Sequence, residues 1–294
     1  MEVRSICVIG AGVMGHGIAQ VAAAAGYAVT VNEVDEGTLA RGMGQIERSL
    51  KRLVARGQLT EGQAEEIRGR IRPETSLAAA AAEADLIIEA VTENLAVKES
   101  VFRAVDQHAR PDAIIASNTS QYSITQLASF VRSPGRVCGM HFFNPPVLMR
   151  LIEIIRGLQT SDETYATVVA VSRRMGKEIV TCRDSQGFIT SRLISALALE
   201  AMRIVEEGLA SPEDVDRACR LGLGHAMGPL ETVDLTGLDT ALAVSDELVK
   251  AFGDRFRAPQ TLRNLVRAGR IGQKAGRGIY AYDRDGKRIS RQEG

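Results

Sequence analysis

Near its start the chain reads Ile6-Cys-Val-Ile-Gly10-Ala-Gly12-Val13-Met14-Gly15, a short apolar run that leads directly into three glycines spaced Gly-x-Gly-x-x-Gly. Apolar residues at helical spacing follow, so the segment predicts a strand, a tight turn and a helix. In that arrangement Gly10 permits the turn, Gly12 lets a phosphate approach the backbone, and Gly15 lets the helix pack on the strand. The helix N-terminus would then face a dinucleotide pyrophosphate. The alternative is a glycine-rich turn that binds no ligand.

An acidic residue follows at the distance that this interpretation requires. Glu33 ends a second predicted strand, residues 28–33, where a carboxylate accepts hydrogen bonds from ribose hydroxyls and repels a 2′-phosphate. No Lys or Arg occurs between Glu33 and Arg41, so the sequence predicts NAD rather than NADP. The alternative is a solvated acidic loop. The predicted cofactor contacts in this part of the chain are Gly10, Gly12, Val13, Met14, Gly15 and Glu33.

The composition limits the classes of function. With 294 residues the chain is long enough for two domains, and a formal net charge of zero provides no basic field for nucleic acid. The four cysteines are widely separated, which predicts no disulfide framework and no metal site. No apolar run has membrane-spanning length. The first strand begins a few residues from Met1, leaving no room for a targeting segment, so we expect a cytoplasmic protein.

Strands and helices alternate up to about residue 184, and only helical patterns follow. Further strands are predicted at residues 84–90, 113–117, 136–141, 151–155 and 178–180. We therefore predict an α/β fold, a Rossmann-type doubly wound and mostly parallel sheet, followed by an all-helical domain. The expected boundaries are 1–184 for the NAD-binding domain and 185–294 for the helical domain. The helix predicted over 188–209 is apolar on several sides, which indicates a bundle core or a subunit interface.

One histidine stands out among the four in the chain. His141 ends a predicted strand at the carboxyl edge of the sheet, where open α/β sheets bind ligands. Glu153 lies on the next strand, so the two side chains could meet if the strands pair antiparallel. A carboxylate fixes the tautomer of an imidazole and raises its basicity, which suits the base that removes the proton of an alcohol. The alternative is a core histidine whose hydrogen bond is satisfied by a glutamate.

Taken together, these segments resemble the L-3-hydroxyacyl-CoA dehydrogenase family, most closely its stand-alone short-chain form, along essentially the whole chain. The motifs that carry the resemblance are Gly10-Ala-Gly-Val-Met-Gly15, Glu93-Asn94 with Lys98, Ser117-Asn-Thr-Ser120, His141-Phe-Phe-Asn-Pro145, Gly187-Phe-Ile189, Met227-Gly-Pro229, Gly237-Leu-Asp-Thr240 and Lys274-Ala-Gly-Arg-Gly278. The segment that begins at His141 is the most specific of these.

The resemblance implies a role for each matching residue. His141 would take the proton of the 3-hydroxyl of a short-chain (S)-3-hydroxyacyl-CoA, such as 3-hydroxybutyryl-CoA, in a reversible oxidation, and Glu153 would orient it. Ser117 would hydrogen-bond the substrate oxygen. The remaining implied contacts are Glu93, Lys98, Asn144 and Lys274 for the cofactor, and Ser49, Arg56, Asn144 and Ser191 for the substrate. The helical domain would close the substrate cleft and form a homodimer.

Two positions depart from the family pattern. Glu33 stands where aspartate is more usual, and Ser191 stands where asparagine is usual in Gly-Phe-Ile-x-Asn-Arg. Because of the second departure, the sequence does not determine which acyl group the substrate carries. Two other functions also stay open: a dehydrogenase of a free 3-hydroxy acid, which needs no CoA contact at Ser49 or Arg56, and a dinucleotide-binding protein without catalysis.

Overall fold

A computed structural model describes residues 2–289, which divide between Ser185 and Gln186 into two compact units. The first unit is built on one eight-stranded sheet. Its strands are β1 (Ser5–Ile9), β2 (Ala28–Asn32), β3 (Ile71–Glu74), β4 (Leu86–Glu89), β5 (Ile114–Ser117), β6 (Val137–Phe142), β7 (Leu151–Arg156) and β8 (Glu178–Arg183).

The strand order is β3-β2-β1-β4-β5-β6-β7-β8. The pairs from β3 through β6 are parallel, β6 and β7 are antiparallel, and β8 runs parallel to β7. The order reverses direction at β1, between β2 and β4, which is the switch point where a doubly wound sheet binds its ligand. The predicted doubly wound, mostly parallel sheet is confirmed.

Seven helices complete the first unit. They are α1 (Gly15–Ala24), α2 (Glu36–Ala55), α3 (Glu61–Gly69), α4 (Leu77–Ala82), α5 (Leu95–His108), α6 (Ile124–Ala128) and α7 (Asp162–Arg174). Strands β4, β5 and β6 are buried along their whole length, and β1 is buried except at its first residue, as the continuous apolar runs of the sequence predict. Helices α1, α2, α3 and α7 contribute apolar side chains to the same core.

Strand β3 and helices α4 and α6 are absent from the sequence prediction. In β3 only Ile71 is buried, and Pro73 interrupts the segment. The strand pairs on one side only, with β2, and an edge strand needs neither a continuous apolar run nor every backbone N–H. Helix α6 is one short turn capped by Ser123, so its apolar periodicity is too short to detect.

The second unit is helical, with α8 (Thr190–Glu206), α9 (Pro212–Gly222), α10 (Pro229–Thr236), α11 (Leu238–Phe252) and α12 (Gln260–Arg267). Its core lies between these helices and includes Tyr280 and Tyr282, whose hydroxyls donate to the buried carboxylates of Asp216 and Asp234 respectively. Residues 290–294 of the predicted second domain lie outside the described residues. None of the helices within residues 2–289 combines the length and apolar character needed to cross a bilayer.

Helix α8 has two different halves. Its C-terminal half buries Ala198 and Met202 in the core of the second unit. Its N-terminal half leaves Leu193 66% exposed and Ile194 38% exposed. The sequence left a bundle core and a subunit interface open for this helix, and the buried half belongs to a bundle core.

Candidate active site

The glycine-rich loop between β1 and α1 depends on two of its glycines for its own geometry. Gly10 has φ +100°, and a Cβ there would lie 2.6 Å from the carbonyl oxygen of Ala90. A Cβ on Gly15 would lie 1.7 Å from the carbonyl oxygen of Gly10. A Cβ on Gly12 would meet no protein atom within 4 Å. Gly12 therefore borders open space, into which a phosphate can approach the backbone.

Helix α1 begins without a capping side chain. Its N-cap residue is Met14, which makes no side-chain cap, and its first turn holds no acidic residue. Each of the other six helices in the first unit has a Ser, Thr, Asp or Asn side chain as its cap. No side chain therefore caps the first N–H groups of α1; that of His16 donates to the carbonyl oxygen of Gly12 at 3.3 Å, and a helix start without a side-chain cap can receive an external anion. Together with the open side of Gly12, this start of α1 fits the pyrophosphate of a dinucleotide.

Glu33 lies beside this loop. Its carboxylate accepts hydrogen bonds from the backbone N–H of Ala11 at 3.2 Å and of Val34 at 3.0 Å. The nearest following cation, Arg41, is directed to Asp35 at 4.0 Å instead. The Glu33 carboxylate is therefore held at the switch point, on the β2 side of the loop, where the adenosine ribose of a dinucleotide binds. This position agrees with the predicted preference for NAD.

The imidazole of His141 and the carboxylate of Glu153 meet between β6 and β7. The two residues are direct partners in the antiparallel pairing, and Nδ1 of His141 lies 2.7 Å from Oε2 of Glu153. Glu153 is fully buried, and the His141 ring also packs against Phe143, with 4.6 Å between ring centroids. Because a carboxylate only accepts, Nδ1 is the protonated nitrogen and Nε2 carries the lone pair. The contact with Glu153 fixes the orientation of the imidazole ring.

The hydroxyl of Ser117 is engaged by neighbouring groups of the protein. Ser117 is fully buried, donates to Oε2 of Glu89 at 2.6 Å, and accepts from the backbone N–H of Thr119 at 3.1 Å. The expectation that it hydrogen-bonds a substrate oxygen therefore does not fit its surroundings. Ser120, three residues on, is partly exposed and donates to Glu93 at 3.1 Å. The sequence analysis did not single out Ser120, although it closes the same polar run.

Lys98 is the centre of a buried charged group, which we call the Lys98 triad (Glu89, Glu93 and Lys98). Its Nζ lies 2.8 Å from Glu89 and 3.3 Å from Glu93, and both Lys98 and Glu89 are 1% exposed. Glu93 also accepts from the hydroxyl of Thr119 and from the backbone N–H of Ser120. The sequence analysis assigned Glu93 and Lys98 to the cofactor and missed Glu89. A lone acid at the end of an otherwise apolar strand is the signal that could have found it.

The loop after β6 is fastened to its surroundings at several points. Asn144 is exposed and precedes a cis peptide bond to Pro145. Pro146 packs against α1, where a Cβ on Gly17 would lie 2.8 Å from its ring. The ammonium of Lys177 donates to the carbonyl oxygen of Pro146 at 2.6 Å. Asn144 is therefore presented at the same edge as the glycine-rich loop and His141.

Helix α2 presents a basic face to solvent. This face consists of the exposed residues Arg48, Lys51, Arg52 and Arg56. Among residues 2–289, no acidic side chain lies within ion-pair distance of these four cations. Ser49 lies on the same helix but is 8% exposed, on its buried side. The cations are thus free to bind an anion, whereas Ser49 offers little surface.

Two of the predicted site residues belong to the second unit. Ser191 is partly exposed in the first turn of α8. The ammonium of Lys274 forms an ion pair with Asp239 at 2.8 Å. All the other predicted site residues belong to the first unit. Within it, the glycine-rich loop, Glu33, the Lys98 triad and His141 lie along the carboxyl edge of the parallel strands, whereas Arg56 lies at the far end of α2.

Comparison with known proteins agrees with this geometry. Residues 5–185 match the family model of the 3-hydroxyacyl-CoA dehydrogenase NAD binding domain, and residues 187–282 match the model of the C-terminal domain of the same enzymes. A Deinococcus radiodurans protein named probable 3-hydroxybutyryl-CoA dehydrogenase is 44% identical over 94% of this chain and 99% of its own length. The 3-hydroxybutyryl-CoA dehydrogenase of Mycobacterium tuberculosis is 41% identical over 95% of this chain and 99% of its own.

A solved structure leads to the same conclusion. The crystal structure of (S)-3-hydroxybutyryl-CoA dehydrogenase from Ralstonia eutropha superposes with a TM-score of 0.92 at 41% identity, covering 96% of this chain and all of that one. Both family models, these relatives and the glycine-rich loop with its acidic partner point to one cofactor and one class of enzyme. The chain belongs to the family of NAD-dependent 3-hydroxyacyl-CoA dehydrogenases, which are oxidoreductases.

Proposed function

We propose that the chain catalyses the reversible oxidation of the 3-hydroxyl of a short-chain (S)-3-hydroxyacyl-CoA to the 3-ketoacyl-CoA. The observation that carries this proposal is the buried pair of His141 and Glu153, 2.7 Å apart, at the same sheet edge as the glycine-rich loop. The names of the relatives, which include 3-hydroxybutyryl-CoA dehydrogenase, support the choice of a short acyl chain.

The pair provides the base that the reaction needs. Nδ1 of His141 donates to Glu153, so Nε2 is the ring nitrogen that takes the proton of the substrate hydroxyl as the C3–H bond breaks. NAD, which the glycine-rich loop and Glu33 would hold, would supply the acceptor for the hydride that leaves C3. The carboxylate of Glu153 stabilises the imidazolium that forms and keeps its orientation. In the reverse direction the imidazolium returns the proton to the ketone oxygen.

We propose that Ser120, rather than Ser117, supplies the hydroxyl that contacts the substrate oxygen. Ser120 has accessible surface and stands next to Glu93, whereas Ser117 is enclosed and bonded to Glu89. Ser117 would have to break a bond to the enclosed carboxylate of Glu89 to reach the substrate, whereas Ser120 donates to Glu93, whose side chain is 33% exposed. We therefore assign the substrate contact to Ser120.

The CoA part of the substrate is assigned to the basic face of α2, with Arg56 at its C-terminal end. Arg48, Lys51 and Arg52 complete a surface of four unpaired cations that suits the phosphates of CoA. A free 3-hydroxy acid has no such phosphates, so this face favours an acyl-CoA over that alternative. The intact pair of His141 and Glu153 argues against a dinucleotide-binding protein without catalysis.

We further propose that the protein is a homodimer joined through its second unit. Apolar side chains of that unit are left in contact with water: Leu193, Ile194, Leu209, Leu221, Leu223 and Leu235. We propose that these side chains contribute to one apolar patch, because a contiguous exposed apolar patch is typical of a surface that a partner covers. We also propose that Ser191, shorter than asparagine, leaves more room near the acyl group.

The proposal is tested by one substrate panel. NADH formation is followed with 3-hydroxybutyryl-CoA, longer 3-hydroxyacyl-CoA esters and free 3-hydroxybutyrate. We expect activity on the esters and none on the free acid, and Arg56→Glu should raise KM for the ester while kcat stays nearly unchanged. Turnover of the free acid with an unchanged KM in Arg56→Glu would favour the free-acid dehydrogenase, and no turnover of any member would favour the non-catalytic protein.

A further inference from the structure

The Lys98 triad occupies the stretch of sheet edge between the cofactor loop and the catalytic base. Strands β4 and β5 lie between β1, which leads into the glycine-rich loop, and β6, which carries His141. Glu89 ends β4 and is the direct partner of Ser117, which ends β5. A dinucleotide that lays its adenosine beside Glu33 and its pyrophosphate on α1 must cross these two strand ends to reach His141. The nicotinamide half is therefore the part of the cofactor closest to the triad.

The triad carries unequal charge. Two carboxylates share one ammonium, which leaves one negative charge in excess. Within residues 2–289, no cation other than Lys98 lies within ion-pair distance of Glu89 or Glu93. The remaining hydrogen bonds to the two carboxylates come from hydroxyls and backbone N–H groups, which are neutral.

Lys98 is held mainly by Glu89, so the excess negative charge lies mainly on Glu93. The carboxylate of Glu89 is 1% exposed and its oxygens are engaged by Lys98, by the backbone N–H of Val91 at 2.8 Å and by Ser117 at 2.6 Å. Lys98 lies closer to Glu89 than to Glu93, 2.8 Å against 3.3 Å. The Glu93 side chain is 33% exposed, so it is the member of the triad whose charge faces solvent at the carboxyl edge of the sheet.

We propose that Glu89 is a positioning residue for the cofactor: by holding Lys98 it leaves the Glu93 carboxylate with an excess negative charge that favours the oxidised nicotinamide. The ring of NAD is positively charged before the reaction and neutral after it accepts a hydride. A negative charge within about 10 Å of it in a partly desolvated cleft therefore stabilises bound NAD relative to bound NADH.

The test measures the dissociation constants of NAD and NADH without any acyl-CoA, by calorimetry and by NADH fluorescence. Glu89→Gln removes the excess charge, so the ratio Kd(NADH)/Kd(NAD) should fall about three- to tenfold. The double variant Glu89→Gln with Lys98→Met restores one negative charge on Glu93 and should return the ratio to within twofold of wild type. Should Glu89→Gln fail to fold, Glu93→Gln makes the same change of charge at an accessible side chain.

The matched control is Asp85→Asn. Asp85 is also a buried carboxylate with a cationic partner, Arg110 at 2.6 Å, but it precedes β4, about 13 Å of strand away from Glu89. Asp85→Asn should leave the ratio unchanged. A ratio within twofold of wild type in both Glu89→Gln and Glu93→Gln would overturn the proposal. A ratio that falls in Glu89→Gln and stays equally low in the double variant would also overturn it, since the effect would not follow charge.

The placement of the nicotinamide beside His141 rests on the proposed function, but the binding measurement does not. His141→Gln should abolish most turnover and leave the ratio of the two dissociation constants unchanged. If the protein had no activity on any acyl-CoA, the proposed function would be wrong. The ratio of the two dissociation constants would still test the effect of the charge of the triad on cofactor binding.

Discussion

Gly12→Ala separates the fold of the glycine-rich loop from its use as a cofactor site. The new Cβ would have no protein atom within 4 Å, and the φ of Gly12 lies outside the left-handed region. The substitution should therefore leave folding stability unchanged or raise it by about 0.4–1 kcal/mol, as Gly→Ala does at compatible positions. Gly15→Ala should instead lower stability by more than about 3 kcal/mol, because its Cβ would lie 1.7 Å from the carbonyl oxygen of Gly10.

The affinity for NAD, unlike the stability, should fall in Gly12→Ala. A phosphate oxygen that hydrogen-bonds the loop cannot also keep the normal spacing of about 3.5–4.0 Å from a new methyl carbon. Displacing it loses a charge-assisted hydrogen bond of about 1.5–3 kcal/mol. At 1.4 kcal/mol per tenfold, Kd for NAD should rise about 10- to 100-fold in Gly12→Ala.

The two quantities are measured by calorimetric titration with NAD and by denaturant unfolding of the same samples. A Gly12→Ala variant that folds normally and binds NAD within threefold of wild type would refute the assignment of the open side of Gly12 to the pyrophosphate. A variant that loses stability as Gly15→Ala does would show that the space beside Gly12 is needed by the protein itself.

Three further predictions follow from single contacts. Ser120→Ala should lower kcat at least about tenfold with little change in stability, whereas Ser117→Ala should lower stability by about 1–3 kcal/mol because Glu89 loses a hydrogen-bond donor. Steady-state kinetics and unfolding measurements on both variants test this, and the reverse pattern would restore Ser117 as the substrate contact. Glu33→Ala should raise KM for NAD and narrow its advantage over NADP, and equal use of both cofactors by wild type would refute the role of Glu33. Burial opposes ionisation of Asp85, but hydrogen bonds from the backbone N–H groups of Arg4 and Ser5 and from Arg110 hold its pKa below the usual value. The ionised carboxylate therefore stabilises the fold above the usual aspartate range, and this stabilisation is lost as pH falls through the lowered pKa. In unfolding measurements, the stability advantage of wild type over Asp85→Asn should shrink below about pH 4.

The fold is predictable from the sequence where burial is complete. Strands β1, β4, β5 and β6 are enclosed, so each appears as a continuous apolar run, and the change to helical periodicity marks the second unit. Strand β3 is not predictable in the same way, because an edge strand such as Ile71–Glu74 is held by backbone pairing with β2 and leaves little pattern in its side chains.

The candidate site also contains residues that the sequence predicts and residues that it does not. The glycine spacing and Glu33 are local features, and His141 and Glu153 lie on successive strands whose pairing determines their contact. The sequence does not show which serine of the run Ser117-Asn-Thr-Ser120 is exposed. This depends on where β5 ends and on the carboxylate of Glu89, which comes from a neighbouring strand. Such a contact joins residues 28 positions apart, and the periodicity of either strand contains no sign of it.

The central claim is that His141 is the base that takes the proton of the 3-hydroxyl. The direct measurement is kcat for NADH formation from 3-hydroxybutyryl-CoA in His141→Gln, with His108→Gln, an exposed histidine at the end of α5, as the control. Loss of a positioned base predicts a fall in kcat of about 10²–10⁴ in His141→Gln, with unchanged NAD affinity, and wild-type rates in the control. A kcat for His141→Gln within fivefold of wild type would contradict the account.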